Sequence, residues 1–185
     1  MTRRRKASRK RGLDDLQKQS IIEQFSSIVG LFVKNVIERF GEEGREVVEK
    51  ACLESGKYAA QRFIETRGLK EKGTQALAKH IYPDTSNSQL TWVDEFGKFT
   101  HLKLDAKHFA FKVEKCPYLK HYRAVGVLPR MPYICDVVCR ADDGVGKTFN
   151  PRLKFSLPKC MARGDEYCIY EWKEEDKQDN AQPKT

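Results

Sequence analysis

The fold is decided where the hydrophobic period becomes two, most clearly in HFAFKVEKCP, residues 108–117. Phe109, Phe111 and Val113 face one way, while His108, Lys112 and Glu114 face the other, as in a strand with one buried face. Cys116-Pro117 ends this strand. Because proline favours the first position of a helix, we predict a helix from Pro117 to about Val125.

Similar signals lie on both sides of this strand. Turns are predicted at Glu95-Phe96-Gly97, at Asn150-Pro151 and at Arg163-Gly164-Asp165, because glycine frees the backbone and proline restricts it. A second inserted helix is expected from Met131 to about Asp142. The remaining strands are predicted in four short segments, namely Thr91-Trp92-Val93, Phe99 to Leu104, Leu153 to Leu157 and Cys168 to Trp172.

The first part of the chain has helical periodicity instead. We predict a helix from Leu13 to Phe40 and another from about Glu43 to Thr66, joined by a short glycine link that favours an antiparallel pair. A third helix, Thr74 to Tyr82, should end before Pro83. Helices followed by strands, with further helices among them, indicate an α+β fold whose long N-terminal helices pack on an antiparallel sheet. We expect one domain over residues 13–173, with disordered tails at 1–12 and 174–185.

The net charge of +9 is concentrated at one end of the chain. Residues 1–12 carry seven lysines and arginines and no acid, which leaves +2 for the remaining 173 residues. Such a tail can bind polyanions weakly. The body has no basic stripe interleaved with aromatic residues, so nucleic-acid binding is not expected there. The pattern leaves the oligomeric state open.

Cysteine use and hydropathy indicate a cytoplasmic protein. Six cysteines without a Cys-x-x-Cys pair favour reduced thiols or metal ligands over disulfides. The apolar segment from Ile28 to Ile37 is interrupted by Lys34 and Asn35, so no membrane span is predicted. The basic first twelve residues lead into no continuous apolar run and do not form a secretory signal.

Five of the six cysteines lie between residues 116 and 168, together with most of the candidate catalytic groups. Cys135, Cys139 and Asp142 are spaced to share one face of a helix, where they could bind a soft metal or lower the pKa of one thiol. Small buried cysteines without chemistry are the alternative.

Cys116 is the other candidate nucleophile. It should occupy the N-cap of the helix beginning at Pro117, with Lys115 beside it and His121 one turn further on. The helix dipole and these cations would lower the pKa of its thiol. His121 or Asp142 could then transfer protons.

These motifs together resemble the L-2-amino-thiazoline-4-carboxylic acid hydrolase family. The resemblance rests on the order and spacing of Phe40-Gly41-Glu42-Glu43-Gly44, Cys116-Pro117, Cys139-x-x-Asp142, Asn150-Pro151 and Gly164-Asp165-x-x-Cys168. It implies an enzyme that hydrolyses a C–N or C–S bond in a small heterocycle. Two departures concern the substrate site, because Cys160 replaces an expected hydroxyl residue and Cys135-Asp136 adds a second cysteine–acid pair. We assign Asn150, Cys135, Asp136 and Cys160 to substrate binding.

Two functions follow from these residues. In the first, a hydrolase acts on a small cyclic or amide-like substrate, with Cys116 or Cys139 as the nucleophile. It uses either no cofactor or a divalent metal held by the cysteines and Asp142, whose bound water would attack. In the second, the same site belongs to a sensor module that binds a small molecule or a metal without catalysis.

Overall fold

The computed structural model describes residues 15–81, 91–94 and 97–175. The two predicted tails therefore lie outside the described residues, except for Glu174 and Glu175. Glu174 ends a strand, accepts a hydrogen bond from the Asn150 side chain at 2.9 Å and pairs with Arg152. The domain thus extends slightly beyond the predicted boundary at residue 173.

The N-terminal helical region, α1 (Asp15–Arg67), consists of two arms on either side of Gly41. Gly41 has φ 60° and ψ −136°, a conformation that only glycine adopts without strain. The chain turns sharply there, since a Cβ on Gly44 would lie 2.8 Å from the Val36 carbonyl oxygen. Eight residues of straight helix would separate these positions by about 12 Å. The predicted break between two helices at Gly41 is confirmed.

The strands form one five-stranded antiparallel sheet, which confirms the α+β prediction. The strands are β1 (Thr91–Asp94), β2 (Gly97–Leu104), β3 (His108–Lys115), β4 (Leu153–Ser156) and β5 (Cys168–Glu174). Their order in the sheet is β1-β2-β3-β5-β4. The strand that was clearest in the sequence, β3, pairs with β2 on one side and β5 on the other. It therefore lies at the centre of the sheet.

The shorter helices follow α1 in the chain and alternate with the strands. They are α2 (Thr74–Ile81), α3 (Pro117–Ala124), α4 (Ile134–Val138) and α5 (Arg140–Phe149), followed by a short 3-10 helix (Met161–Arg163). The helix predicted from Met131 to Asp142 is wrong in its extent. It is divided at Cys139 into α4 and α5, and α5 continues to Phe149. The predicted turn at Gly164 is present, with φ 104°.

The second arm of α1 packs very closely on α5. A Cβ on Gly56 would overlap the Ala141 carbonyl oxygen, and a Cβ on Gly144 would overlap that of Leu53. These glycines let the two backbones touch, which fixes the start of α5 against α1. Beneath α5, the fully buried Trp172 of β5 donates a hydrogen bond from Nε1 to the Asp142 carbonyl at 2.9 Å. Residues 139–142 thus pack against α1 on one side and against Trp172 of β5 on the other.

The segment Ser20–Arg67 is long and apolar enough, by length and composition alone, to cross a membrane. The sequence pattern, in contrast, predicted no membrane span. Core helices of soluble proteins pass the same test, and one face of this helix contributes Val33, Ile37 and Val48 to the core. The finding is therefore weak evidence for a span.

Candidate functional site

One face of the sheet forms the base of the site. The register places Phe109 opposite Trp172, Phe111 opposite Tyr170 and Val113 opposite Cys168. The first two pairs stack, with ring centroids 5.4 and 5.1 Å apart. Because side chains two residues apart share a face, this row passes from large aromatic groups to Cys168, where the helical insertions meet the sheet.

Cys139 lies at the junction of two helices rather than within one. It is the C-cap of α4 and the N-cap of α5, with φ −74° and ψ 3°. Its amide donates to the Cys135 carbonyl at 2.9 Å, and its own carbonyl accepts from the Asp142 amide at 3.0 Å. The prediction that the three side chains share the face of a single helix is wrong in this respect. The spacing still brings them together, since the turn continues through the junction.

The Cys139 thiol contacts two other polar side chains. It favours the ionised form of the neighbouring Asp142 carboxyl group and so lowers the pKa of that group, and its sulfur lies 3.4 Å from the Tyr170 hydroxyl. Cys139 also stands at the amino end of the ten-residue helix α5, where the dipole favours negative charge. A thiol, a carboxylate and a phenol are therefore neighbours at a helix N-terminus.

The carboxyl group of Asp142 titrates near neutrality. Burial raises its pKa from 3.8 to about 7, while hydrogen bonds from the Cys139 thiol and its own backbone amide oppose the rise. Asp142 nevertheless keeps some exposed surface, as does Tyr118 nearby. A carboxyl group with this pKa can both accept and return a proton at neutral pH.

Three further cysteines form a second group beside this pair. The Cys135 and Cys168 thiols lie near Cys160 and lower the pKa of its thiol, and the Cys139 sulfur raises the pKa of the Cys135 thiol. The Cys168 sulfur accepts from the Met161 amide at 3.2 Å. A helix, a loop and a strand each supply one of these sulfurs.

Cys160 is the member of this group best suited to carry a negative charge. The Cys135 and Cys168 thiols, the Ala162 amide and the Arg163 guanidinium all favour its thiolate and lower its pKa. The same contacts, together with burial, raise the pKa of the Cys135 and Cys168 thiols. Cys160 has no exposed surface, however, so a substrate could reach it only if the site opened.

Cys116 occupies the predicted position, but its electrostatics differ from the prediction. It is the N-cap of α3 and makes no capping hydrogen bond through its side chain. Burial raises the pKa of its thiol to about 11, which the amides of Leu119 and Tyr118 only partly offset. The expected lowering of this pKa is wrong, because the loss of hydration at the end of β3 outweighs the helix dipole.

Three other predicted site residues are held elsewhere. Asp136 pairs with Arg163, and Asn150 is a turn residue whose side chain binds the Arg152 amide and Glu174. His121 lies in the last turn of α3. Among the described residues, no hydrogen bond or ion pair joins the side chains of these three to the cysteines.

Tyrosines, which were absent from the predicted site residues, also line the site. Tyr118 and Tyr122 of α3 lie near Cys116 and Cys139, and Tyr170 projects from β5. Burial raises the pKa of all three phenols, so they remain protonated donors. The period of two in Cys168, Tyr170 and Trp172 was the signal that could have placed Tyr170 beside the cysteines.

Metal ligation gains no geometric support. Within residues 15–81, 91–94 and 97–175, no group of three or more His, Cys, Asp or Glu side chains is arranged to hold a metal ion. What these residues do offer is a group of neighbouring thiols beside a carboxyl group whose pKa burial raises to about 7.

Comparison with known proteins identifies one family and two similar folds. The model of the family described as L-2-amino-thiazoline-4-carboxylic acid hydrolase matches residues 22–172. A trafficking protein particle complex subunit 3 from Naegleria fowleri, covalently bound to palmitic acid, is similar in structure. Its TM-score is 0.56 at 12% identity, over 85% of this chain and 97% of that one.

The second similar structure is the phenol-responsive sensory domain of the transcription activator PoxR with phenol. It has a TM-score of 0.57 at 16% identity, covering 80% of this chain and 74% of that chain. At these identities the two structures show the fold alone. A search of curated proteins finds no match.

Proposed function

The chain belongs to the L-2-amino-thiazoline-4-carboxylic acid hydrolase family, and from that premise we propose that it hydrolyses a small heterocyclic or amide-like substrate at a C–N or C–S bond. The observation that carries the proposal is the juxtaposition of Cys139 with Asp142, whose amide donates to the Cys139 carbonyl at 3.0 Å and whose carboxyl pKa burial raises to about 7. A thiol beside a base that titrates near neutrality is the arrangement that cysteine nucleophiles require.

The proposed reaction begins with proton transfer from Cys139 to Asp142. The resulting thiolate attacks the carbon between the heteroatoms of the substrate, and its new C–S bond displaces electrons onto the substrate nitrogen. When the ring bond breaks, protonated Asp142 returns its proton to the departing nitrogen or sulfur. Water then attacks the same carbon and Asp142 accepts one of its protons. When the bond between this carbon and the Cys139 sulfur breaks, Asp142 returns that proton to the sulfur, which regenerates the thiol and the carboxylate, so that one water is consumed overall.

The neighbouring groups support this assignment of roles. Tyr170, protonated and 3.4 Å from the Cys139 sulfur, can donate to charge that develops beside the nucleophile. Cys139 has 8% of its surface exposed, whereas Cys160 has none. Cys139 is therefore the more accessible of the two sulfurs for which the structure offers a route to a thiolate.

The test is a screen of 2-amino-thiazoline-4-carboxylate and related small heterocycles and amides, followed by mass spectrometry of the products. Cys139→Ser and Asp142→Asn should each lower turnover by at least about 100-fold, the usual contribution of such groups. Cys52→Ser is the matched control, since Cys52 lies on α1, outside the group of hydrogen-bonded sulfurs. Full activity of folded Cys139→Ser would contradict the proposal and return attention to Cys116.

A binding module without catalysis is the second candidate. It is favoured by the similarity to a sensory domain that holds phenol and by the three protonated tyrosines around Cys139. In that case small aromatic compounds should raise the melting temperature of the protein without being consumed. The rise should persist in Cys139→Ser, which separates this function from hydrolysis.

A further inference from the structure

The first arm of α1 exposes a row of large apolar side chains on the side opposite its buried face. Its members are Ile21, Phe25, Ile28 and Phe32, which are 53, 59, 67 and 62% exposed. We call these four residues the α1 stripe. The other side of the same arm packs into the domain through Ser26, Gly30 and Val33. The core therefore accounts for one face of this helix and leaves the other uncovered.

The spacing within the α1 stripe is that of a helix–helix seam. Its residues recur at intervals of four, three and four, the repeat that keeps side chains facing a second helix. The next two positions of the repeat are Asn35 and Arg39, so the apolar seam ends there. A segment of two heptads fits one partner helix of similar length.

We propose that two copies of this chain pair through the α1 stripe, with their first arms antiparallel. In this arrangement a two-fold axis passes near the middle of the stripe. Ile21 of one copy then meets Phe32 of the other, and Phe25 meets Ile28. The stripe is self-complementary, as a symmetric dimer requires.

The exposed area is consistent with this partner. A fully exposed aromatic side chain presents roughly 200 Å², so the stripe exposes on the order of 500 Å² per copy at the fractions given above. Two stripes together reach about 1,000 Å², the lower end of specific protein interfaces. Leu31 and Phe40, 39 and 60% exposed, adjoin the stripe and can add to the area.

Charge favours the antiparallel direction. The seven cations of residues 1–12 precede the stripe, whereas residues 38–46 follow it and carry four glutamates against Arg39 and Arg45, a net charge of −2. An antiparallel pair brings the basic end of each copy level with the acidic end of its partner. A parallel pair would instead place like charges together at both ends, which costs stability.

An anionic membrane surface suits the stripe less well. The basic tail alone would favour it, but the acidic residues that follow Phe40 would be repelled by anionic lipids. Glu23 and Glu38 are also exposed on the same arm. A basic amphipathic helix at a membrane carries cations on its flanks instead.

The experiment measures the mass of the full chain by size-exclusion chromatography with light scattering. The wild type should have twice the chain mass at micromolar concentration, and Phe25→Glu and Ile28→Glu should be monomeric with unchanged circular dichroism. Tyr58→Glu is the matched control, because Tyr58 is 69% exposed on α1 but lies outside the stripe. A monomeric wild type, or a dimer that survives both stripe substitutions, would overturn the proposal. The proposal would also be overturned if the wild type bound phosphatidylserine vesicles without dimerising and Ile28→Glu abolished that binding.

Cross-linking tests the direction. Ile21→Cys and Phe32→Cys chains mixed and oxidised should give the heterodimeric disulfide, with little cross-linking of either variant alone. Removal of residues 1–12 should weaken the dimer and reduce its sensitivity to salt. Efficient cross-linking of each variant with itself, or a truncated dimer of unchanged affinity, would refute the antiparallel arrangement.

Discussion

Replacing Asp142 by Asn should stabilise the protein at alkaline pH while removing its activity. Burial raises the carboxyl pKa from 3.8 to about 7. Between these two values the folded protein keeps a proton that the unfolded chain has released, so the free energy of unfolding falls as pH rises. The stability linked to this proton is fully present below the unfolded pKa and is lost as pH rises through about 7.

The magnitude follows from the size of the shift. About three pKa units at 1.36 kcal/mol each set an upper limit of about 4 kcal/mol. Asp142 keeps some solvent exposure, which reduces the effect. The free energy of unfolding of Asp142→Asn, relative to that of the wild type, should therefore increase by about 2–4 kcal/mol from about pH 4 to pH 8, because asparagine stays neutral throughout.

Urea denaturation of both proteins at the two pH values measures this difference. Glu54→Gln, on the exposed side of α1, should unfold with the same pH dependence as the wild type. Wild-type turnover, measured over the same pH range, should rise with pH through about 7, since the base must be ionised. Unfolding free energies of wild type and Asp142→Asn that stay parallel across this range would refute the burial of the carboxyl group.

Three further predictions concern the rest of the molecule. Iodoacetamide should modify Cys116 slowly near neutral pH, because its thiol has a pKa of about 11; rapid labelling in peptide mass maps would contradict this. Gly144→Ala should cost about 3 kcal/mol of unfolding free energy, since its Cβ would overlap the Leu53 carbonyl; an unchanged urea midpoint would show that the helices can separate. Removal of residues 1–12 should leave unfolding cooperative and turnover intact, and a loss of either would place the tail within the domain.

The elements that the sequence predicted are those with an undisturbed period. β3 is recognisable because its alternation is regular, and α2 begins at Thr74 as expected. The division at Cys139 was not predictable, because the spacing of Cys135, Cys139 and Asp142 suits a continuous helix equally well. It arises from tertiary packing, in which α5 must approach α1 closely enough for Gly56 to touch Ala141. Local sequence contains no record of that approach.

The site was predictable in composition but not in electrostatics. Cys116 has every local feature of a low-pKa thiol, and yet the surrounding chain buries it and raises the pKa. Cys160 has no such local signal. Its thiolate is favoured by thiols that arrive from α4 and β5. Contacts between residues distant in sequence decide both cases, so the residues flanking a cysteine predict its pKa poorly.

The two cysteine systems are best understood as having different tasks. Cys135, Cys160 and Cys168 join a helix, a loop and a strand through one shared proton network, and Cys160 is fully buried within it. Such a network stabilises the arrangement around it but offers no base through which a proton could leave. Cys139 contacts that network through Cys135 and also contacts Asp142, whose carboxyl group exchanges protons at neutral pH. Catalysis requires a proton acceptor that is later a donor, and among these thiols only Cys139 has one within the described residues. We therefore propose that Cys139 and Asp142 carry the chemistry and that the other three sulfurs hold them in place.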